Sequence, residues 1–448
     1  MRGLADSRDH PMPAPTVSSG SGRPLLAAVF QSFQASGVAW SLLRGTTSAI
    51  PTSGDIDLLV HRGDVRQVGD ILTSLGFARV PGWGDDSHPH YLAYDPVGKG
   101  WLWLDVASEL AFGEGYRLTT GLAAECLARR QVIGTTSFLA PNDYFWALLL
   151  HCVLDKRIFS ASHKQTLTEL APGAVGDGPI VRFIAQSAPP TWSPTTIVAT
   201  VRRGEWEKVE ALGPALARNW PRRLRRGKRG RLSCVTRWAA LLSHRIRCQG
   251  PSIALLGTDG AGKSTLAAEI KRRFPLPSRV IYMGIYSRWL DRATQLRFPP
   301  LVIASRVGIL WGRYLLARYH QARGRLVIFD RYPFDALLPA RPPVQRLNRI
   351  SGWFDAHACP APDMSFLLDA PGEVMFLRKG ARKHTAQQLG EARASYLAIA
   401  GRIPGLRIID SSRAVDQVLS DVTEQLWALY RDRLQCLRRQ SEIGVAGP

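Results

Sequence analysis

The chain has 448 residues, of which 45% are hydrophobic, and its 58 Lys and Arg residues against 36 Asp and Glu residues give a formal net charge of +22. The length exceeds that of one ordinary domain, and the charge predicts anionic partners such as nucleotides, nucleic acid or an anionic membrane surface, unless the arginines only solvate the surface. The six cysteines form no CxxC pair, which argues against a disulfide framework or a zinc site and favours a reducing cytoplasm.

The first 23 residues lack the apolar segment that a secretory signal needs. We expect them to be a disordered leader. The longest apolar run of the chain, LVIASRVGILWGRYLLARY, is interrupted by Arg306, Arg313 and Arg318. It therefore falls short of a transmembrane segment, and we expect a soluble, cytoplasmic protein.

The N-terminal half alternates short helical and strand-like patterns, which predicts an α+β domain over residues 24–185. Helices are predicted over 24–36 and around 64–75, and strands in VAWSLL, DIDLLV and WLWLDVA. From 141 to about 170, the pattern PNDYFWALLLHCVLDKRIFSASHKQTLTELA predicts a helix with an apolar face.

Three carboxylates occupy strand positions in this half. Asp55 and Asp57 are two residues apart, and residues i and i+2 of a strand share a face. Asp105, in WLWLDVA, is placed to supply a third carboxylate from a neighbouring strand. Two-metal nucleotidyl transfer requires such a set, so the three residues are predicted metal ligands.

Gly45 precedes Asp55 by ten residues. Together with the three carboxylates, this glycine gives a pattern that resembles the polymerase-β-like nucleotidyltransferase superfamily over roughly residues 25–165. Thr46 stands where that family commonly has Ser. The resemblance implies a nucleotidyltransferase fold and leaves activity open. Four further polar residues either contact substrate or nucleotide phosphate, or are loop and helix residues without such a role: His88, His90, His151 and Lys156.

Residues 186–249 are predicted to be a basic, partly helical connector. Its beginning, 186–198, is rich in Pro, Ser and Thr, as a loop or domain boundary is. The densest charge run of the chain, RNWPRRLRRGKRGR at 218–231, follows. This run is either a solvated linker or helix face, or a contact for a nucleic-acid backbone or an anionic surface.

From residue 250 to 434 the pattern changes to strands that alternate with helices. The strands are predicted in SIALLG, RVIYM, RLVIFD, MSFLLDA and LRIID. This rhythm predicts an α/β domain with a parallel sheet and helices on both faces, followed by a tail over 435–448.

The loop GTDGAGKS after the first of these strands fits the pattern G-x-x-x-x-G-K-[ST]. Its glycines let successive N–H groups point at phosphates, Lys263 would reach the β- and γ-phosphate oxygens, and the Ser264 hydroxyl would ligate Mg²⁺. The helix that follows places its positive end on the phosphates. The predicted nucleotide-binding residues are Gly257, Thr258, Asp259, Gly260, Ala261, Gly262, Lys263, Ser264 and Thr265.

Two later segments add charged groups to this predicted site. In RLVIFDRYPF the predicted strand ends at Asp330, which is predicted to orient Mg²⁺. The next residue, Arg331, offers a guanidinium fork for a phosphate. FLRKGARKH carries cations that would close over the phosphates, or else form a solvated helix face. These cations are Arg378, Lys379, Arg382 and Lys383.

Four segments together resemble the thymidylate kinase family of P-loop nucleoside monophosphate kinases, over about residues 252–430. They are GTDGAGKST, DRY at 330–332, PDMSFLLDAPGEVMFLRK and IIDSS. The resemblance implies a kinase that uses ATP and Mg²⁺ to phosphorylate a nucleotide or another anionic acceptor. It implies a substrate-side role for Asp259, an acceptor-phosphate and metal element in Asp330 and Arg331, and lid roles for Arg378 and Arg382. Arg413 falls in the family's adenine-contacting loop.

The acceptor half departs from this family more than the donor half does. VIYMGIYSRWLDRA lacks the family's REPG-type segment, and PFDALLPARPP follows DRY in place of the usual residues. Three hypotheses for the whole chain remain open at this point. It is a kinase with a second nucleotidyltransferase activity, a kinase with a non-catalytic recognition domain, or a nucleotide-sensing or nucleic-acid-binding protein.

Overall fold

The described residues divide into two compact units, an N-terminal one that ends at residue 224 and a C-terminal one that starts at residue 250. The computed structural model describes residues 23–44, 55–80, 88–224, 250–284, 299–339, 356–379 and 384–445. The predicted leader, except Arg23, lies outside these residues, and so does the second half of the arginine run at 218–231.

The N-terminal unit is built on a mixed sheet of seven strands in the order β3-β4-β5-β2-β1-β9-β8, and β6 and β7 form a separate pair. The pairs β2–β5 and β1–β9 are parallel, and the others are antiparallel. The strands predicted in VAWSLL, DIDLLV and WLWLDVA are confirmed as β1, β2 and β5. The bounds are β1 Trp40–Leu42, β2 Ile56–Val60, β3 Ala78–Arg79, β4 His90–Asp95, β5 Gly100–Ala107, β6 Ala111–Phe112, β7 Leu118–Thr119, β8 Gln131–Ile133 and β9 Thr136–Phe138.

Several helices of this unit begin with proline, whose fixed φ and missing N–H suit the first helical turn. The predicted single helix over 141–170 is wrong, because a π-helix, His151–Lys156, and a left-handed Arg157 at φ 56° interrupt it. The α-helices described in this unit are Pro24–Ala35, Val65–Ser74, Ala123–Ala128, Pro141–Leu150, Ala161–Leu170, Pro179–Ser187, Pro194–Arg202 and Trp206–Asn219.

The connector predicted for 186–249 starts too early. The helices Pro194–Arg202 and Trp206–Asn219 bury their apolar side chains in the same core as Trp146, on the helix Pro141–Leu150. Apolar residues at helical spacing, among them Ile197 and Leu212, drive this packing. Residues up to 224 therefore belong to the N-terminal unit.

The C-terminal unit contains a five-stranded sheet in the order β11-β12-β10-β13-β14, and every pair in it is parallel. All five strands predicted from the alternating pattern are confirmed. Continuous apolar runs such as Ile253–Leu256 suit a sheet that is covered on both faces, and these four residues are buried. The bounds are β10 Ser252–Leu256, β11 Ser278–Tyr282, β12 Leu326–Asp330, β13 Met364–Asp369 and β14 Leu406–Asp410.

Among the described residues, α-helices lie between β10 and β11, between β11 and β12, and between β13 and β14, as parallel pairing requires. The last helix continues to Val445, so most of the residues predicted to be a tail are helical. Within the described ranges, no helix is long and apolar enough to cross a membrane. The α-helices described here are Lys263–Arg273, Pro299–Ala322, Gly372–Lys379, Ala386–Ile399 and Val415–Val445.

Candidate functional site

The glycine-rich loop leaves the carboxyl end of β10 and enters the helix Lys263–Arg273. Gly257, Gly260 and Gly262 have φ values of 133°, 88° and 94°, which disfavour any residue with a side chain. A Cβ atom would lie 2.7 Å from the Leu368 carbonyl oxygen at Gly257 and 2.6 Å from that of Met375 at Gly260. These two glycines are therefore required both by backbone conformation and by close packing.

Lys263 is buried at the start of this helix, with its ammonium group inside the loop. Its Nζ donates hydrogen bonds to the carbonyl oxygens of Gly257, at 2.8 Å, and Thr258, at 2.7 Å. Burial, and to a smaller extent Arg331, lower the pKa of Lys263 to about 8, although nearby carboxylates oppose the shift. Because the folded pKa lies below the ordinary value of 10.5, the ammonium destabilises the folded state at neutral pH. That destabilisation disappears as pH rises from about 8 to about 10.5.

Ser264 and Asp330 meet beside the loop. The Ser264 Oγ donates a 2.8 Å hydrogen bond to Oδ2 of Asp330, the last residue of β12. Parallel pairing of β12 with β10, in which Leu255 faces Asp330, brings this carboxylate to the loop. Hydroxyl and carboxylate oxygens are ligands that Mg²⁺ accepts, and such an ion commonly takes further ligands from phosphates and water.

Arg331 lies between two carboxylates. Its Nη2 donates to Asp259 of the loop, and its Nη1 donates to Oδ2 of Asp335 at 3.3 Å. Arg331 also has a φ of 68°, which is uncommon for a residue with a side chain and often marks functional positions. The structure therefore ties the predicted acceptor-side arginine to the predicted substrate-side aspartate.

Sequence reasoning missed the two residues that complete this arrangement. The Asp335 side chain is largely buried, and burial raises its pKa, although Arg331 and the Tyr396 hydroxyl oppose the shift. The Tyr396 hydroxyl donates a 2.8 Å hydrogen bond to Oδ1 of Asp335 from the helix Ala386–Ile399. An acidic residue inside the apolar PFDALL segment was the available signal for Asp335.

Replacing Tyr396 with phenylalanine removes the donor to Asp335 and keeps the ring in the core. We expect the free energy of unfolding to fall by about 1–3 kcal/mol, because a buried carboxylate oxygen loses its partner. Denaturant unfolding would measure this, with Tyr319→Phe as the control, since the Tyr319 hydroxyl makes only an exposed contact with Arg323. Equal losses in the two variants would contradict the importance of the buried bond.

The predicted lid residues are only partly described. Arg378 donates to the carbonyl oxygens of Ser411, at 2.7 Å, and Ser412, at 3.2 Å, so it holds the end of the helix Gly372–Lys379 to the loop after β14. Arg413 pairs with Asp410 and Asp421. The second predicted lid residue, Arg382, lies outside the described part of the chain, as do Lys383 and the side chain of Lys379, two of the cations predicted to close over the phosphates or to form a solvated helix face.

In the N-terminal unit, Asp57 of β2 and Asp105 of β5 face each other across a parallel pair. Asp57 is buried, and burial, together with the Asp105 charge, raises its pKa to about 6, although the nearby Arg44 opposes the shift. The Arg44 Nε lies 3.1 Å from Oδ2 of Asp57. Asp55 is exposed just before β2. The structure thus brings two of the three predicted carboxylates into register.

Other predicted residues of this unit have varied surroundings. His88 is buried and stacks on Tyr116 with a centroid distance of 4.2 Å, and burial lowers the pKa of His90, which faces Asp105 from β4. The His151 Nδ1 lies 2.8 Å from Oδ2 of Asp155 within the π-helix that also contains Lys156. Gly45 and Thr46 lie outside the described residues.

A metal site made of protein ligands alone is not assembled in the described ranges. Among these residues, no group of three or more His, Cys, Asp or Glu side chains is arranged to hold a metal ion. The predicted site of Asp55, Asp57 and Asp105 therefore stays a prediction.

No protein-family model matches the chain, and no curated protein matches its sequence. One similar solved structure is the thymidylate kinase from Candida albicans, which is 20% identical, with 40% of this chain and 92% of that chain covered and a TM-score of 0.33. Another is the deoxyadenosine kinase from M. mycoides with bound dATP, which is 16% identical, with 39% and 98% covered and a TM-score of 0.30. Both likenesses are too distant to assign an activity to this chain.

Proposed function

We propose that the C-terminal unit is an ATP-dependent kinase of the thymidylate kinase type, which transfers the γ-phosphoryl group of ATP to a nucleotide or another anionic small molecule. One observation carries this proposal. The glycine loop after β10 places Lys263 and Ser264 beside Asp330 at the carboxyl end of the parallel sheet. Ligands of open α/β sheets bind at this end.

Each group has a role in this proposal. Backbone N–H groups of the loop and of the helix start bind the phosphates, and the Lys263 ammonium neutralises the β- and γ-phosphate oxygens. Ser264 and Asp330 would hold Mg²⁺, which supplies further charge neutralisation when bound. Arg331, oriented by Asp259 and Asp335, would bind the anionic group of the acceptor.

ATP turnover by the purified full chain, measured against a panel of nucleoside monophosphates that includes dTMP, tests this proposal. Phosphorylation of dTMP would support a thymidylate kinase despite the different acceptor segments. Phosphorylation of another nucleotide would support the class and correct the acceptor. Failure to bind ATP would refute the proposal, because the phosphate loop would then have no nucleotide to position.

A second activity is proposed for the N-terminal unit, namely metal-dependent nucleotidyl transfer of the polymerase-β type. The register of Asp57 and Asp105 on adjacent parallel strands favours it, because two carboxylates from neighbouring strands can share a metal ion. The alternative is a recognition domain without catalysis. Asp57→Asn distinguishes the two, since loss of a metal-dependent nucleotidyl transfer with an intact kinase would support catalysis.

The same substitution is expected to raise stability. The folded pKa of Asp57, about 6, exceeds the ordinary value of 3.8, so the folded protein favours the protonated carboxyl group. The protonated group therefore stabilises the fold at low pH, and this contribution disappears as pH rises from about 4 through about 6. Asparagine resembles the protonated form. We therefore expect Asp57→Asn to increase the free energy of unfolding by up to about 3 kcal/mol at about pH 7.5 and by almost nothing at about pH 4.

Urea unfolding at both pH values measures this difference. Asp70→Asn, at an exposed position of the same unit, controls for a general loss of negative charge. A destabilised Asp57→Asn variant at the higher pH would contradict the expectation and would make the Arg44 pair the dominant interaction of Asp57.

A further inference from the structure

The helix Pro299–Ala322 presents an apolar face to solvent. Its exposed residues recur every three or four positions, so they share one side of the helix. The large side chains among them are 41–59% exposed: Trp311 41%, Leu315 59%, Leu316 45% and Tyr319 53%. Gly308 and Gly312 lie on the same side, with open space where a Cβ atom would stand. We call Trp311, Leu315, Leu316 and Tyr319 the apolar face.

An exposed apolar face of this kind requires an explanation. Single exposed leucines are ordinary, but contiguous large apolar side chains on one helix commonly mark a binding surface. The segment 299–325 contains five arginines and no Asp or Glu. The helix that carries the apolar face is therefore positively charged and contains no acidic residue.

Three of these arginines hydrogen-bond neutral groups in the part of the chain that the structure describes. The Arg313 Nη1 donates to the Gly284 carbonyl oxygen at 3.0 Å. Arg318 donates to the Gln321 side-chain oxygen, and Arg323 donates to the Tyr319 hydroxyl. Because these partners carry no charge, the contacts leave the positive charge of the arginines in place.

Positive charge is concentrated at the carboxyl end of the same helix. His320 is buried there, and burial lowers its pKa, as do the charges of Arg325, Arg279 and Arg323. Arg279 is exposed on the edge strand β11. Of these arginines, Arg323 contacts Tyr319 of the apolar face, so a partner that covers this face would also meet its positive charge.

We propose that this surface binds the face of an anionic lipid bilayer, with the helix lying in the plane of the membrane interface. Trp311 and Tyr319 are the aromatic types that favour the headgroup region, and Leu315 and Leu316 would enter the boundary with the acyl chains. The arginines would contact anionic headgroups. The proposed contact is with the surface of the bilayer, and the helix does not cross it.

Two other occupants fit this surface less well. A second copy of the chain in a two-fold dimer would set the patch against itself and bring arginines close to arginines. A nucleic acid would suit the arginines and aromatic rings, but it would leave the leucines facing charged phosphates. An anionic bilayer matches both the apolar and the charged components.

Co-sedimentation of the full chain with lipid vesicles tests the proposal. We expect binding to vesicles of phosphatidylcholine mixed with an equal amount of phosphatidylglycerol, and much weaker binding to phosphatidylcholine alone. The double variant Trp311→Gln/Leu315→Gln should bind the mixed vesicles roughly tenfold more weakly or worse. The matched control is Val97→Gln/Ile133→Gln, which changes two exposed apolar residues of the N-terminal unit and should bind as the wild type does.

Charge is tested separately. Arg318→Gln and Arg323→Gln should each weaken binding about fivefold at low salt. Arg62→Gln, at an exposed position of the N-terminal unit, should have a smaller effect. These measurements need neither ATP nor an acceptor, so they are independent of the proposed kinase activity.

Three results would overturn the proposal. The wild type could fail to bind the mixed vesicles at low salt. The double variant could bind them as well as the wild type, which would assign binding to other basic segments. Analytical ultracentrifugation without lipid could show a wild-type dimer that Leu315→Gln dissociates, which would assign the face to a second copy of the chain.

Discussion

Replacing Lys263 with alanine is expected to reduce ATP-dependent phosphoryl transfer about 10²–10³-fold. The reason lies in the position of the ammonium group. It lies inside the glycine loop, hydrogen-bonded to two loop carbonyl oxygens, where water is largely excluded and its charge is only weakly screened. In the proposed kinase, this ammonium group would neutralise the β- and γ-phosphates.

Single-turnover transfer from radiolabelled ATP, with any acceptor that the nucleotide panel identifies, measures this loss. Lys271→Ala is the matched control, because Lys271 is exposed on the same helix and should transfer phosphoryl groups at the wild-type rate. Fluorescence titration with an ATP analogue gives a readout that does not depend on an acceptor. Wild-type transfer by Lys263→Ala would refute the assigned role of this lysine.

We expect a loss of activity in this variant to come from the missing positive charge and not from unfolding. Burial lowers the pKa of Lys263 to about 8, so at neutral pH the folded protein holds a charge in an unfavourable environment. Removing that charge should leave the folded state at least as stable as the wild type, apart from the lost packing of the side chain. A residue that lowers the stability of the fold is expected at a functional position, because function often requires groups that stability alone would not favour.

The sheet of the C-terminal unit could be predicted from the sequence because its strands carry short apolar stretches, which are continuous in β10 and β12 and shorter in β11 and β14. The same holds for the loop, since its glycine spacing is imposed by local backbone conformation. Gly257 and Gly260 have positive φ values, a requirement of the local backbone that shows in the sequence as glycine, whereas their close approach to Leu368 and Met375 does not. Locally determined features were therefore accessible to sequence reasoning.

Asp335 and Tyr396 could not be predicted in the same way. They are 61 residues apart, and their hydrogen bond depends on how the helix Ala386–Ile399 packs against the segment after β12. No local sequence pattern indicates that these two side chains meet. Arg331 was found from its neighbour Asp330, yet its pairing with Asp259 depends on the parallel register of β10 and β12.

The N-terminal unit shows a different source of error. A helical pattern ran without a break across the predicted helix over 141–170, while the chain forms a π-helix at His151–Lys156 and then a left-handed residue. Polar composition likewise placed a boundary at 186–198, although the helix Pro194–Arg202 begins within that stretch and buries Ile197. Composition was a weaker guide there than the spacing of apolar residues.

Asp330 joins the sheet to the proposed chemistry, since it is both the last residue of β12 and the acceptor of the Ser264 hydrogen bond. Replacing Asp330 with asparagine keeps the shape of the side chain and removes its charge. We expect phosphoryl transfer to fall about 10²-fold at low Mg²⁺ and the Mg²⁺ concentration at half-maximal rate to rise about tenfold, because a neutral amide oxygen is a weaker ligand for a hard cation.

A titration of the transfer rate against Mg²⁺ separates this role from a structural one. A purely structural Asp330 would lower the rate equally at every Mg²⁺ concentration, whereas a metal-orienting Asp330 makes the loss recoverable with excess Mg²⁺. Asp432→Asn, at an exposed position of the helix Val415–Val445, should leave the titration unchanged. An unshifted midpoint in Asp330→Asn would remove this carboxylate from the proposed Mg²⁺ site and leave Ser264 as its protein ligand.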